Sequence, residues 1–387
     1  MKIGIYVSVI AGQKGFENNV SGHIQVPLRS IEELQEAGHE VHLITNEVGE
    51  GRSLPFCLDE NTMNIHYVAD ARERGGILER TGKQTGGLNF FRLRKQVKEI
   101  KAICNEQHLD VLHLFGYNRT AHLAGGLRMF GLKIPVIVTM FGANFPERVS
   151  FLTKRLWNRV DAVVTATEFV RNKLESNGIP TKQIRHGVIR DLVKEKGDCE
   201  ILPKHRVLFW RDMTTKNGAD IALAVFEKIA PKYPKVSFNF AVRQHWDPIK
   251  GVKEVESKIP NFTVYDFPYK DGITLPKLLL ESLCVVMPIR HMSIDPQLVI
   301  AETLASGVPI ITTDQRSNPE FIIEGETGCL VPLGDIDATT KALDVMLSDQ
   351  EKLLTMGSKA KDNISARWNW NTYAFELLAV YELVLQK

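Results

Sequence analysis

The chain has 387 residues, of which 44% are hydrophobic, 24% charged and 8% aromatic, with 28 Gly and 17 Pro. These fractions match soluble globular proteins and exclude disordered, collagen-like and coiled-coil chains, and the length exceeds what one core serves, so two domains are expected. The longest stretch without Asp, Glu, Lys or Arg is 13 residues, 134–146, too short to cross a bilayer as a helix.

The formal charge of +2 hides an asymmetry: residues 1–190 carry +6 and residues 191–387 carry −4. The densest basic region is 72–98, with eight cations against Glu73 and Glu79. Such a patch attracts anions over a range that salt shortens. An anionic membrane surface is therefore a candidate partner, a plain solvated helix face is equally compatible, and nucleic acid is not expected. Cys57, Cys104, Cys199, Cys284 and Cys329 are widely spaced, odd in number and form no C-x-x-C pair, so neither a disulfide framework nor a zinc site is expected.

In chain order, short apolar segments at 3–9, 41–45, 65–69, 111–114, 136–139 and 162–166 alternate with segments of helical spacing. The apolar start reads as a buried first strand rather than a leader, which places the protein in the cytoplasm. The first helix carries Leu28, Ile31 and Leu34 on one face and stops at Ala37-Gly38-His39. After a charged linker at 190–204, a second series of strands is expected at 207–210, 236–242, 262–265, 284–288 and 309–312. Alternation of this kind implies parallel strands joined by crossover helices. The chain should form an α/β protein of two Rossmann-like domains facing each other across a cleft. One spans 1–190, with a closing helix at 368–387 packing back on it, and the other spans 200–367. The closing helix has an apolar stripe at Tyr373, Leu377, Val380 and Val384.

Two constellations carry candidate chemistry. Arg211 ends the strand at 207–210 and Lys216 follows five residues later, ahead of a helical segment. Two cations near a helix start suit a diphosphate, holding it and stabilising its charge as it leaves. The second is the run Ser293-Ile294-Asp295-Pro296-Gln297-Leu298-Val299-Ile300-Ala301-Glu302, closed by Gly307. It reads as a loop and a helix, with Asp295 as N-cap, Pro296 as first helical residue and Glu302 on the helix. A carboxylate there can accept two ribose hydroxyls. His113 should lie at a strand end facing the cleft, where it either orients substrate or is a structural histidine. Asp335-Ile336-Asp337 has D-x-D spacing, but Asp337 reads better as a helix N-cap, and no metal or cofactor is expected.

With these residues in place, the whole chain resembles the GT-B glycosyltransferases of the retaining family-4 type. The matching parts occur in order: Ser21-Gly22, Ala37-Gly38-His39-Glu40-Val41, Asp110-Val111-Leu112-His113, Arg211, Lys216-Asn217-Gly218, Glu302 to Pro309, Asn318-Pro319-Glu320 and Gly325-Glu326-Thr327-Gly328. The resemblance implies transfer of a sugar from a nucleotide-diphosphate donor. Arg211 and Lys216 would hold the diphosphate and Glu302 the ribose. Gly22, Asp295, Leu298 and Val299 would complete the donor site. The acceptor, a glycan, lipid-linked molecule or small molecule, would bind the basic first domain.

Departures from the family pattern are equally specific. Ile294 stands where a first Glu is usual, with Asp295 beside it as a substitute. Pro296 and Gln297 replace the glycines that follow, Ser21 replaces the first glycine of the N-terminal pair, and Phe141 stands where a sugar-contacting His is common. An active enzyme with a modified sugar pocket and a degenerate nucleotide-sugar-binding protein both fit these losses. A non-hydrolysing nucleotide-sugar epimerase shares the architecture. A nicotinamide oxidoreductase does not fit, because no G-x-G-x-x-G follows the first strand.

Overall fold

The computed structural model describes residues 1–8, 12–13, 22–48, 52–53, 63–70, 90–142, 149, 151–188, 204–242, 249–267, 269–270, 272–292 and 294–387. Ser21, Cys57, Cys199, Ser293, residues 72–89 of the basic stretch and residues 190–203 of the expected linker lie outside these. The chain divides into two units, one of Met1–His186 with Trp370–Lys387 and one of Gly187–Asn369.

The first unit is built on β1 (Lys2–Val7), β3 (Glu40–Asn46), β5 (Asn64–Val68), β6 (Val111–Gly116), β7 (Val136–Met140), β8 (Ala162–Thr165) and β9 (Lys182–Gln183). Two further two-residue strands, β2 (Gly12–Gln13) and β4 (Arg52–Ser53), pair antiparallel with each other. The large sheet has the order β5-β3-β1-β6-β7-β8-β9, and every pair in it is parallel. Helices α1 (Gly22–Glu36), α2 (Phe90–Glu106), α3 (Asn118–Met129), α4 (Phe151–Trp157) and α5 (Glu168–Glu175) make the crossovers. A parallel pair requires such a crossover, and covering both faces explains why β6 and β7 are buried along their whole length rather than alternating. The predicted stripe of α1 is buried at Leu28, Ile31 and Leu34, and Gly38, with φ +82°, turns the chain into β3. Of the basic stretch, Arg94, Lys95 and Lys98 lie exposed on α2, with Lys95 paired to Glu99 at 3.6 Å.

The second unit repeats the scheme with β10 (Arg206–Phe209), β11 (Ser237–Val242), β12 (Phe262–Asp266), β13 (Ser282–Met287), β14 (Ile310–Thr313) and β15 (Gly328–Val331), all parallel, in the order β12-β11-β10-β13-β14-β15. The edge strands β9 and β15 are additions to the sequence expectation; β9 is two polar residues, and β15 is four residues directly after the Gly325-Glu326-Thr327 turn. Between the strands run α6 (Ala219–Ile229), α7 (Val252–Lys258), α8 (Leu275–Leu280) and α9 (Leu298–Ala305), and α10 (Ile336–Leu347) and α11 (Gln350–Arg367) follow β15. Phe209, Phe226, Phe238, Phe240 and Phe262 stack in tilted and edge-on pairs between the sheet and α6. The Asn261 amide donates to the carbonyls of Ala230, Tyr233 and Val236 and so closes the α6 to β11 connection onto the start of β12.

The closing helix α12 (Trp370–Leu385) belongs to the first unit and buries the expected Tyr373, Leu377, Val380 and Val384, with Tyr381 added. The Tyr373 hydroxyl lies 2.9 Å from Ser30 Oγ on α1, and the Tyr381 hydroxyl lies 2.7 Å from His113 Nδ1 on β6.

Candidate functional site

In an open α/β sheet, ligands sit outside the carboxyl ends of the strands where the order reverses. In the second unit that point lies between β10 and β13, which are adjacent although α6, α7, α8 and two strands separate them in sequence. The segments leaving these two strands, 210–218 and 288–297, contain Arg211, Lys216 and Asp295. Leu298, Val299 and Glu302 follow on α9.

The 210–218 segment is fixed at both ends. At its start the Trp210 indole N–H donates to Thr303 Oγ1 on α9 at 3.0 Å, and that hydroxyl in turn donates to the Val299 carbonyl. At its end, residues Thr215–Asn217 form a 3-10 turn with Thr214 as N-cap, and the Asn217 amide side chain closes the loop on the Asp212 carbonyl at 3.0 Å. Gly218 follows with φ +77°, and a Cβ there would lie 1.9 Å from the Pro288 carbonyl oxygen. Only glycine lets this turn press so closely on the segment leaving β13. Across that contact the Lys216 carbonyl accepts the backbone N–H groups of Arg290 and His291 at 3.0 and 2.9 Å.

The Lys216 backbone is therefore rigidly held while its side chain is exposed, and among the described residues no hydrogen bond or ion pair engages its ammonium. Arg211 is half-buried, and its Nη1 donates to the side-chain oxygen of Gln297. The far side of the 288–297 segment is pinned as well: Thr313 Oγ1 and the Gln315 amide donate to the Ile289 carbonyl, and Arg316 donates to the Met292 carbonyl at 2.9 Å. Such an edge, with two cations on one braced loop, can hold a doubly charged anion without reorganising.

Two local expectations change. Helix α9 begins at Leu298 with Gln297 as N-cap, so neither Asp295 nor Pro296 occupies the predicted cap positions. The loop extends further than turn chemistry suggested because Gln297, through Arg211 and the Ile294 carbonyl, holds it in place. Asp295 is fully buried and presents no surface to a ligand, which corrects its expected role as a substitute donor-contacting carboxylate. Glu302 is also buried, 8% exposed, on the same helix as buried Val299 and half-buried Leu298.

In the first unit, Gly22 opens α1. Phe141 follows β7, buried, 6.1 Å from the Phe115 ring and 6.3 Å from the Tyr117 ring, with its N–H on the Gly116 carbonyl. An aromatic cluster therefore closes the carboxyl end of β6 and β7. His113 is not part of that edge. It lies mid-strand in β6, opposite Ile5 and Ile137, 0% exposed, with Nδ1 on Tyr381 and Nε2 on Thr139 Oγ1 at 2.7 Å. Burial pulls its pKa down to about 3, so it is a neutral structural imidazole tying the sheet to α12 rather than a substrate-orienting group. Trp210, Thr303 and Gln297 fix the geometry of this edge through contacts distant in the chain, which local spacing does not reveal.

Among the described residues no three His, Cys, Asp or Glu side chains converge as metal ligands. The D-x-D pair has other roles: Asp335, not Asp337, caps α10 by accepting the Ala338 N–H at 2.8 Å, and Asp337 pairs with Lys228 at 2.8 Å. No helix among the described residues is long and apolar enough to cross a membrane.

Comparison with known proteins agrees with this architecture. Residues 23–189 match the model of glycosyltransferase family 4, and residues 204–349 match that of glycosyl transferases group 1. An N-acetyl-alpha-D-glucosaminyl L-malate synthase of Bacillus anthracis is 24% identical over all of this chain and 98% of its own length. A GDP-mannose-dependent phosphatidylinositol monomannoside mannosyltransferase of Mycolicibacterium smegmatis is 32% identical over 57% of this chain and 61% of its own. Among solved structures, Anabaena Alr3699/HepE in complex with UDP superposes with a TM-score of 0.73 at 14% identity, covering 99% of this chain and 100% of that one. Sucrose-phosphate synthase of Thermosynechococcus elongatus gives 0.72 at 17%, covering 100% and 99%. These likenesses favour transfer over epimerisation and over binding without turnover. Two parallel Rossmann-like sheets, a braced cationic edge at the second switch point and two family matches that together span most of the chain make this protein a GT-B glycosyltransferase of the group 1, family-4 type.

Proposed function

We propose that the enzyme transfers a sugar, with retention at its anomeric carbon, from a nucleotide-diphosphate sugar held at the carboxyl edge of the second sheet. The observation that carries this reading is the pair Arg211 and Lys216 on a loop braced at the β10/β13 switch point, with the Lys216 ammonium engaged by no described neighbour. The UDP complex of a structural neighbour supports a nucleotide donor. As the bond from the anomeric carbon to the diphosphate oxygen breaks, negative charge grows on the leaving group, and the two cations stabilise it most at that moment. The acceptor oxygen attacks from the same face and its proton passes to the departing phosphate, so no protein base is needed and the absence of a histidine at Phe141 is tolerated. Glu302 would accept the ribose hydroxyls, with Leu298 and Val299 beside the nucleotide and Gly22 allowing close backbone approach to the donor. The acceptor would bind the basic first unit. The acceptors named for the two relatives, L-malate and a phosphatidylinositol monomannoside, are both anionic, which favours an anionic acceptor for a chain whose first half carries +6.

The test is a panel of UDP- and GDP-sugars screened for thermal stabilisation, followed by turnover of Lys216→Ala on the donor that binds. Turnover should fall about a hundredfold with an unchanged melting temperature, the effect of removing one group aimed at developing charge. Unchanged turnover in a folded variant overturns the assignment.

A further inference from the structure

Gln297 stands where the family pattern has glycine, which has no side chain to offer, and the structure gives that side chain a defined task. It is only 2% exposed. Its Nε2 donates to the Ile294 carbonyl at 2.7 Å, and its Oε1 accepts from Arg211 Nη1. The amide orientation follows from chemistry: a guanidinium has only donors, so the amide oxygen must face Arg211, and the remaining N–H must then find an acceptor, which the Ile294 carbonyl supplies. Both ends of the carboxamide are thereby committed.

From this geometry we infer that Gln297 is a positioning residue that aims Arg211 at the donor diphosphate. The inference rests on the proposed role of Arg211. A neutral acceptor fixes one guanidinium nitrogen without adding a negative charge of its own. Arg206, at the amino end of β10, is instead buried against the Glu281 carboxylate, with the Asn239 side-chain oxygen as a second acceptor at 2.8 Å. An arginine held in place before the ligand arrives loses less side-chain freedom on binding.

The experiment measures calorimetric dissociation constants for uridine, guanosine and adenosine diphosphates with the wild type, Gln297→Met, Arg211→Ala and the double variant. Methionine keeps the shape and removes both hydrogen bonds. The best-binding nucleotide should be held about tenfold more weakly by Gln297→Met, while adding that change to Arg211→Ala should alter affinity by less than about twofold. A purely structural Gln297 would weaken binding equally in both backgrounds, and that result, or no change in either, overturns the inference. Gln297→Glu keeps an acceptor for Arg211 but brings a negative charge, and should bind more weakly than the wild type; equal binding also overturns it. Wild-type protein that binds none of the three nucleotides defeats the diphosphate reading itself, a failure distinct from the others.

Discussion

Gly218 and Gly251 offer a paired test of how the turn beneath Lys216 is built. Both have positive φ, +77° and +87°, but a Cβ at Gly251 meets nothing within 4 Å, whereas one at Gly218 would lie 1.9 Å from the Pro288 oxygen and 2.6 Å from its carbonyl carbon. Alanine at either position carries the left-handed backbone penalty of roughly 1–2 kcal/mol. At Gly218 it must also clear a backbone carbonyl, and since carbon–oxygen contacts are ordinarily at least about 3.3 Å, the turn has to retreat by more than about 1 Å. Forced displacement of this kind in a packed region costs roughly 1–3 kcal/mol more. Gly218→Ala should therefore be destabilised by about 2–5 kcal/mol and Gly251→Ala by about 1–2, read as shifts in urea midpoint at constant m-value. The retreat also pulls the Lys216 carbonyl from the Arg290 and His291 amides, so nucleotide affinity should drop in Gly218→Ala alone. Equal midpoints and equal affinities for the two variants would refute the close-approach argument.

Two further outcomes follow from burial. His113 stays neutral in the folded state down to about pH 3, while the unfolded imidazole protonates below about 6.5. Unfolding takes up a proton between those values, so stability present above pH 6.5 is lost as pH falls, by up to about 1.4 kcal/mol per pH unit. His113→Gln should flatten this acid limb in urea titrations from pH 7 to 4, and an unchanged slope would contradict the assignment. Glu281→Ala strands the buried Arg206 guanidinium and should cost about 3–5 kcal/mol of stability while leaving the nucleotide affinity of the folded fraction at the wild-type value. Lost affinity in protein shown to be folded would mean that the two ends of β10 are coupled.

Much of the fold was legible because its signals are local. Eleven apolar runs coincide with strands to within a residue or two, the α1 stripe and its Gly38 stop fall where spacing put them, and α12 buries its expected face. Boundaries failed where a distant partner sets the backbone. Helix α9 starts late because Gln297 is tied to Arg211, 86 residues earlier, and Asp335 rather than Asp337 caps α10 because the cap residue must be the one whose side chain reaches the N–H three residues on. His113 was ambiguous for the same reason: nothing near it in sequence says that a tyrosine 268 residues later will occupy its Nδ1.

Residue types and their order were enough to establish two parallel α/β units, a cationic pair suited to a diphosphate and the family to which such a pattern belongs. The tertiary structure decided which of the chemistry-bearing side chains are presented and which are committed: Lys216 is left open, Arg211 is braced by a carboxamide, and Asp295 and His113 are taken into the core. The reason is physical. Periodicity is written in the repeat of a single helix or strand, whereas exposure and hydrogen-bond partnership depend on what the sheet order brings alongside, and β10 and β13 are neighbours although β11 and β12 lie between them in sequence.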